Sequence, residues 1–187
     1  ETGMDASGLM FWDSIRAIDY LCSRSEVDSS KIGVTGVSGG GFNTVHTALL
    51  DPRVKVCAPN GYATTIEALV KRATYGCCGH TPNLCLYGDH GELYACLAPK
   101  PTLILGGYTD VVADRVLPIY ARSLAAYRLY GAEESLSYFL DPDVGHTYSF
   151  PERVRMIHFF NKHLRGIYDP DVAVIAQAEN QLLKRES

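Results

Sequence analysis

The stretch Lys31-Ile32-Gly33-Val34-Thr35-Gly36-Val37-Ser38-Gly39-Gly40-Gly41-Phe42 runs a short apolar strand into Gly-x-Ser-x-Gly and then into a helical segment. So abrupt a reversal leaves Ser38 in a strained backbone conformation. It also asks for glycine at 36 and 40, where side chains are expected to collide with neighbouring backbone. The Ser38 hydroxyl is thereby lifted clear of the sheet. Gly39 follows it at a helix N-terminus, where a free N–H and the helix dipole favour a negative oxygen, so Gly39 is the expected oxyanion donor.

A serine hydroxyl is a weak nucleophile at neutral pH and needs a histidine base, itself oriented by a carboxylate. Behind elbows of this kind the acid and then the histidine come later in the chain. Pro101-Thr102-Leu103-Ile104-Leu105-Gly106-Gly107 reads as a buried parallel strand, and the loop after it carries Asp110. Leu136, Tyr138 and Leu140 alternate as a strand should, and Asp141-Pro142-Asp143-Val144-Gly145-His146-Thr147 then carries His146. Both residues leave the C-terminal end of a strand, where open α/β sheets place their sites. The candidate triad is therefore Ser38, Asp110 and His146. Asp114 is the alternative acid; the pattern puts it in the first turn of the next helix, where a carboxylate reads more simply as a cap.

These stretches resemble the α/β-hydrolase superfamily, in particular its acetyl-xylan-esterase-like and dienelactone-hydrolase-like branch. The resemblance is carried by Trp12-Asp13 through Ala17-Ile18-Asp19-Tyr20-Leu21, by the elbow, by Leu50-Asp51-Pro52-Arg53-Val54, and by Leu97-Ala98-Pro99-Lys100-Pro101-Thr102. Cys77-Cys78-Gly79-His80-Thr81-Pro82 looks more like the esterase branch. The resemblance spans most of residues 9 to 165 and implies Ser38 as nucleophile, Asp110 as acid and His146 as base. It implies a two-step acyl transfer on small-molecule esters with short acyl groups, such as acetyl groups on carbohydrates. That chemistry calls for no metal and no cofactor. A peptidase of the prolyl-oligopeptidase type, or an inactive pseudohydrolase used for binding, are the alternatives.

A complete hydrolase of this class has about eight strands, and only the last four are legible here, near 32–35, 54–58, 102–106 and 135–140. The expected architecture is thus the C-terminal half of an α/β-hydrolase fold: one domain over residues 1–187, a parallel sheet flanked by helices, and a cap-like insertion over 63–98. The elbow strand, central in the complete fold, would be left with an open edge. A second polypeptide segment or a homo-oligomer is expected to complete the sheet, the favoured case being a cleaved protein whose other half is a separate chain. The second oxyanion donor would come from the same source.

Helices are expected around Phe11, Ile15, Ile18 and Leu21, around Val116, Ile119, Tyr120, Leu124 and Tyr127 with Gly131 just past the end, and from Pro151 with Val154, Ile157, Phe160 and Leu164 as the buried stripe. Residues 169–187 read as one more amphipathic helix. Tyr62, Tyr75 and Tyr108 flank strand ends or lie in the insertion and are the candidate substrate contacts. The insertion holds Cys77, Cys78, His80, Cys85, His90 and Cys96, but without a C-x-x-C pair or a separated His pair, so its spacing does not favour zinc. Cys22 and Cys57 read as core residues, His46, His158 and His163 as core or surface, and Asp13 and Asp19 as solvated or capping carboxylates.

Composition narrows the field further. With 47% hydrophobic and 20% charged residues, the chain can bury one good core. A net charge of −4 with no basic run argues against nucleic acid. No apolar run approaches the roughly 20 residues of a membrane span, and Glu1-Thr2-Gly3 shows no signal peptide. The glycines of the elbow also fit the dinucleotide loop of short-chain dehydrogenases, but Phe42 stands where that loop needs its last glycine.

Overall fold

The computed structural model describes residues 5–72, 81 and 83–168. Four strands, β1 (Ile32–Val37), β2 (Val54–Asn60), β3 (Thr102–Gly107) and β4 (Leu136–Asp141), form one parallel sheet in the order β1-β2-β3-β4. Helices α1 (Ala6–Cys22), α2 (Gly39–Leu50), α3 (Ile66–Arg72), α4 (His90–Ala95), α5 (Val116–Leu129) and α6 (Phe150–Phe160) join and cover the strands. The sheet is the α/β half-fold expected from the motifs. No helix among the described residues is long and apolar enough to cross a membrane.

Burial follows strand position. All six residues of β3 are buried, as a central strand with both faces covered requires, whereas β1 is buried only at Ile32 and β4 only at its two ends. One face packs Ile32, Cys57, Ile104 and Leu136 with Phe11 and Ile18 of α1, Phe42, Val45 and Ala48 of α2, and Val116, Ile119 and Tyr127 of α5. On the other, Val56, Ala58, Leu103 and Leu105 meet Phe159 of α6, with Met156, Phe160 and Leu164 at the margin. The face of α6 that packs is thus centred on Phe159 and not on the expected line through Val154 and Ile157. Leu21, at the helical spacing expected in α1, is 41% exposed beside the free edge of β1.

Local chemistry fixes the ends of these elements. Ser149 and Glu152 form a reciprocal capping box at the start of α6, with Pro151 in its first turn. After α5, Gly131 takes φ +60°, and the bonds Ala132 N–H to Tyr127 O and Gly131 N–H to Arg128 O, at 3.0 Å each, complete a Schellman closure. Arg53 forks onto Asp51 at 2.6 and 2.9 Å and reaches Asp19 at 2.7 Å, which ties the turn after α2 to α1. Asp19 is therefore an ion-pair partner of Arg53 and Arg16, where the sequence suggested solvent or a cap. Lys100 bonds the Ala48 carbonyl at the end of α2. Cys57 is buried and Cys22 half-buried, both as free thiols; Cys85 and Cys96 are free and exposed. Cys77, Cys78, His80 and the expected helix over 169–187 lie outside the described residues.

His46 shows what the core does to a titratable group. It is 5% exposed and stacked on Phe11 at 4.4 Å; Nδ1 donates to the Phe42 carbonyl at 2.8 Å and Nε2 accepts from Thr81 Oγ1 at 2.9 Å. Burial favours the neutral ring, in which Nε2 is the acceptor. Burial lowers the His46 pKa to about 4 against an ordinary 6.5, and burial pushes His90 in the same direction. Between those two values the unfolded chain takes up a proton that the folded chain refuses, so stability falls as pH falls. We expect the free energy of unfolding in urea to be full above pH 6.5 and to lose about 3 kcal/mol through His46 by pH 4. A His46→Gln variant should lack most of that slope, and an equal slope in both proteins would show that His46 is not its source.

Candidate active site

The parallel register brings four strand ends level. Val37 stands opposite Asn60, and Gly107 opposite Asp141, so Ser38, Gly61 and the loops 108–115 and 142–149 all leave one end of the sheet. Ser38 has φ 60° and ψ −117°, a conformation that L-residues avoid and that the elbow imposes. Its N–H bonds the Asn60 carbonyl at 3.0 Å, and its own carbonyl accepts from Phe42 N–H at 3.0 Å to begin α2. Its side chain makes no capping bond, and Gly39 is the first residue of the helix.

The glycines of the elbow divide differently from expectation. A Cβ at Gly36 would lie 2.8 Å from the Gly40 backbone, as anticipated, but one at Gly40 would meet nothing within 4 Å. The crowded position is Gly41, where a Cβ would come 2.3 Å from the Asn60 carbonyl oxygen. Gly40 points outward at the exposed start of α2, whereas Gly41 faces the end of β2.

Asp110 and His146 meet. Asp110 Oδ2 accepts from His146 Nδ1 at 2.8 Å, with the Asp110 side chain 1% exposed and that of His146 30% exposed. The other carboxylate oxygen accepts two backbone N–H bonds, from Val112 at 2.7 Å and Ala113 at 3.0 Å, so the carboxylate is fixed from behind. The bond at Nδ1 leaves Nε2 as the outward nitrogen of the imidazole. The ring lies over Gly61, which has φ +60°; a Cβ there would come 3.1 Å from His146 Cε1 and 3.3 Å from Val37 Cγ2. The imidazole therefore sits across Gly61 from the residue that precedes Ser38.

Two backbone bonds stitch the Asp110 loop to the His146 loop, Tyr108 N–H to Asp141 O at 2.8 Å and Thr109 N–H to Val144 O at 3.1 Å. The approach is so close that a Cβ at Gly107 would fall 2.2 Å from the Gly145 carbonyl oxygen. Asp114 lies before α5, not in its first turn, and pairs with Arg115 at 3.3 Å; the carboxylate on His146 is that of Asp110.

The three tyrosines part company. Tyr108 is 73% exposed in the loop that carries Asp110. Tyr62 is in the core, 5% exposed, its ring against Phe42, His90 and Tyr94, because the turn at Gly61 carries the chain beneath α2. Tyr75 lies outside the described residues. What sequence reasoning missed is the support beneath His146, chiefly Tyr148, Ser149 and Glu152.

No protein-family model matches the chain. A Bacillus subtilis protein named as a hydrolase, YtaP, is 34% identical over 138 residues, covering 71% of this chain and 46% of its own length. The acetyl esterase Axe7A of Xylanibacter ruminicola is 48% identical over 46 residues, 25% of this chain and 10% of that protein. Among solved structures, a methylesterase superposes with a TM-score of 0.67 at 26% identity, over 83% of this chain and 35% of its own. A glucuronoyl esterase of carbohydrate esterase family 15 from Caldicellulosiruptor kristjansonii gives 0.67 at 21% identity, over 84% of this chain and 50% of its own. The match thus spans half or less of each of these proteins. The parallel sheet, the elbow and these likenesses agree that the chain has an α/β-hydrolase fold, in the form its esterase neighbours display.

Proposed function

We propose that the protein is a carboxylic ester hydrolase acting through Ser38, His146 and Asp110. The observation that carries this reading is the buried Asp110 carboxylate bonded to His146 Nδ1 at the same end of the sheet as a strained serine that opens a helix. His146 Nε2 takes the proton from Ser38 Oγ as that oxygen attacks the ester carbonyl, and Asp110 steadies the resulting imidazolium. The tetrahedral oxyanion is held by the N–H of Gly39, aided by the α2 dipole. Collapse expels the alcohol with the proton from His146; the same nitrogen then activates water to release the acid. Short acyl groups on carbohydrates are the proposed substrates, a choice favoured by the match to an acetyl esterase. Tyr108, exposed beside Asp110, is the proposed substrate contact.

The proposal extends to the edge of the sheet. Among the described residues β1 pairs only with β2, and a groove of about 390 Å³ runs along its free side, lined by Ile18, Val34, Thr35, Asn43 and Thr47. Asn43 Oδ1 and Thr47 Oγ1 are buried there without a hydrogen-bond partner. A further segment, from elsewhere in the protein, a second polypeptide or a second copy, pairs beside residues 32–37 and brings the second oxyanion donor. One such donor is worth about 3 kcal/mol of transition-state stabilisation.

Two experiments test these points. Release of p-nitrophenol from p-nitrophenyl acetate should vanish in Ser38→Ala, together with labelling by a fluorophosphonate. Asp110→Asn should lower kcat by about 10⁴, as the wrong imidazole tautomer does, while Asp114→Asn changes it little. Labelling that survives Ser38→Ala, or no turnover in the protein whose β1 edge is completed by the further segment, would remove the hydrolase reading. Separately, residues 1–187 expressed alone should associate in sedimentation or show little turnover. A fully active monomer would show that the β1 edge needs no partner strand.

A further inference from the structure

Two residues past His146, the hydroxyl of Tyr148 lies 2.7 Å from Thr35 Oγ1. The Thr35 hydroxyl also bonds the Ala58 carbonyl oxygen at 2.7 Å. A threonine hydroxyl has one hydrogen, and a carbonyl can only accept, so Thr35 donates to Ala58 and Tyr148 must donate to Thr35. The direction of both bonds is thereby fixed.

Thr35 belongs to β1, three residues before Ser38, so this one bond joins the strand that carries the serine to the loop that carries the histidine, across 113 residues of chain. Among the described residues, every other hydrogen bond from 142–149 stays within the loop or runs to the Asp110 loop, to β4 or to α6. Val144 O accepts from Thr109, His146 bonds Asp110, Ser149 bonds Asp141 and Glu152, and Tyr148 O accepts from Arg153. These bonds hold His146 to its acid. They do not reach Ser38, which follows β1, three strands over from β4 at the free edge.

We propose that Tyr148 is a positioning residue, which through Thr35 sets the spacing of His146 from Ser38. The inference rests on the ester-hydrolase reading of those two residues. Tyr148 is half-buried under the loop, and burial pushes its phenol up to about 12, so it keeps its proton, and with it the donated bond, at any working pH. Among the described residues β1 has a strand on one side only, and the bond ties that edge, with the elbow that follows it, to the loop.

The test is a cycle of Tyr148→Phe, Thr35→Val and the double variant, with p-nitrophenyl acetate as substrate. Each single change should lower kcat by 10-fold to about 10²-fold, the scale of a small misplacement of catalytic groups, with KM within about twofold of the parent. The double variant should be no worse than the worse single one, since both remove the same bond. A second readout is independent of turnover: the His146 Cε1–H resonance, assigned with His146→Gln, should move or split in Tyr148→Phe. Unchanged kcat in Tyr148→Phe, in a parent whose turnover depends on Ser38, would overturn the positioning role and leave the hydrolase reading standing. If the parent, with its β1 edge completed, shows no Ser38-dependent turnover, that reading fails, and the His146 resonance decides the tie: a moved or split signal supports it and an unchanged one overturns it.

Discussion

The site depends on one constraint, the parallel register that ends β1, β2, β3 and β4 at Val37, Asn60, Gly107 and Asp141. Parallel strands must be joined by crossovers over the faces of the sheet, so each strand releases its following loop at the same end. Three of those four loops carry the candidate nucleophile, acid and base, and the fourth supplies Gly61 beneath the imidazole. A slip of one residue in β3 against β4 would exchange the side chains presented to the two faces and part Gly107 from Gly145 at once. The chemistry is therefore specified by the same pairing that builds the core.

Close backbone approach converts that level edge into angstrom-scale geometry. Gly41 against Asn60 O sets how α2 leaves β1, and Gly107 against Gly145 O sets how the acid and base loops cross. Neither contact has room for a methyl group, so each loop pair has a single arrangement. The bond between Asp110 and His146 then forms between groups already held in place: Asp110 by two backbone N–H groups, His146 by its stitched loop.

Much of this was legible in the sequence because it rests on short-range chemistry. The elbow is a spacing of glycines after an apolar run, and Asp110 and His146 follow strands recognisable from Leu103-Ile104-Leu105 and from the alternation of Leu136, Tyr138 and Leu140. Gly131 could be placed because a helix that ends in a Schellman turn needs a residue at positive φ. What failed turned on direction in space. Which elbow glycine faces β2 depends on the helix phase of α2, which makes Gly41 and not Gly40 the tight one. The packed face of α6 is centred on Phe159, the residue turned to Leu103 and Leu105, a rotation about the helix axis that a hydrophobic stripe alone does not fix. Tyr62 follows a strand end and so resembled a pocket residue, until the turn at Gly61 sent it inward. The Thr35–Tyr148 bond pairs residues too far apart for any local pattern to show.

The support beneath His146 is polar where a core would ordinarily be apolar, and the reason is geometric. Asp141 and Glu152 are both buried, at 3% and 0% exposure, and burial pushes the Glu152 carboxyl above its usual range. Ser149 joins them, its Oγ bonding Asp141 at 2.5 Å and its N–H bonding Glu152 at 2.6 Å, so the last residue of β4 is fastened to the first turn of α6. The chain between these points carries a histidine whose ring stays open to solvent. A loop anchored by burying apolar side chains would be drawn down onto the sheet with that ring. Directed hydrogen bonds at the two ends hold the loop without pulling its middle inward, and they offset part of the cost of two desolvated carboxyls, Glu152 Oε1 being buried without a hydrogen-bond partner. The fold thus gives up cheap apolar burial at this one corner, where an exposed residue has to be held still.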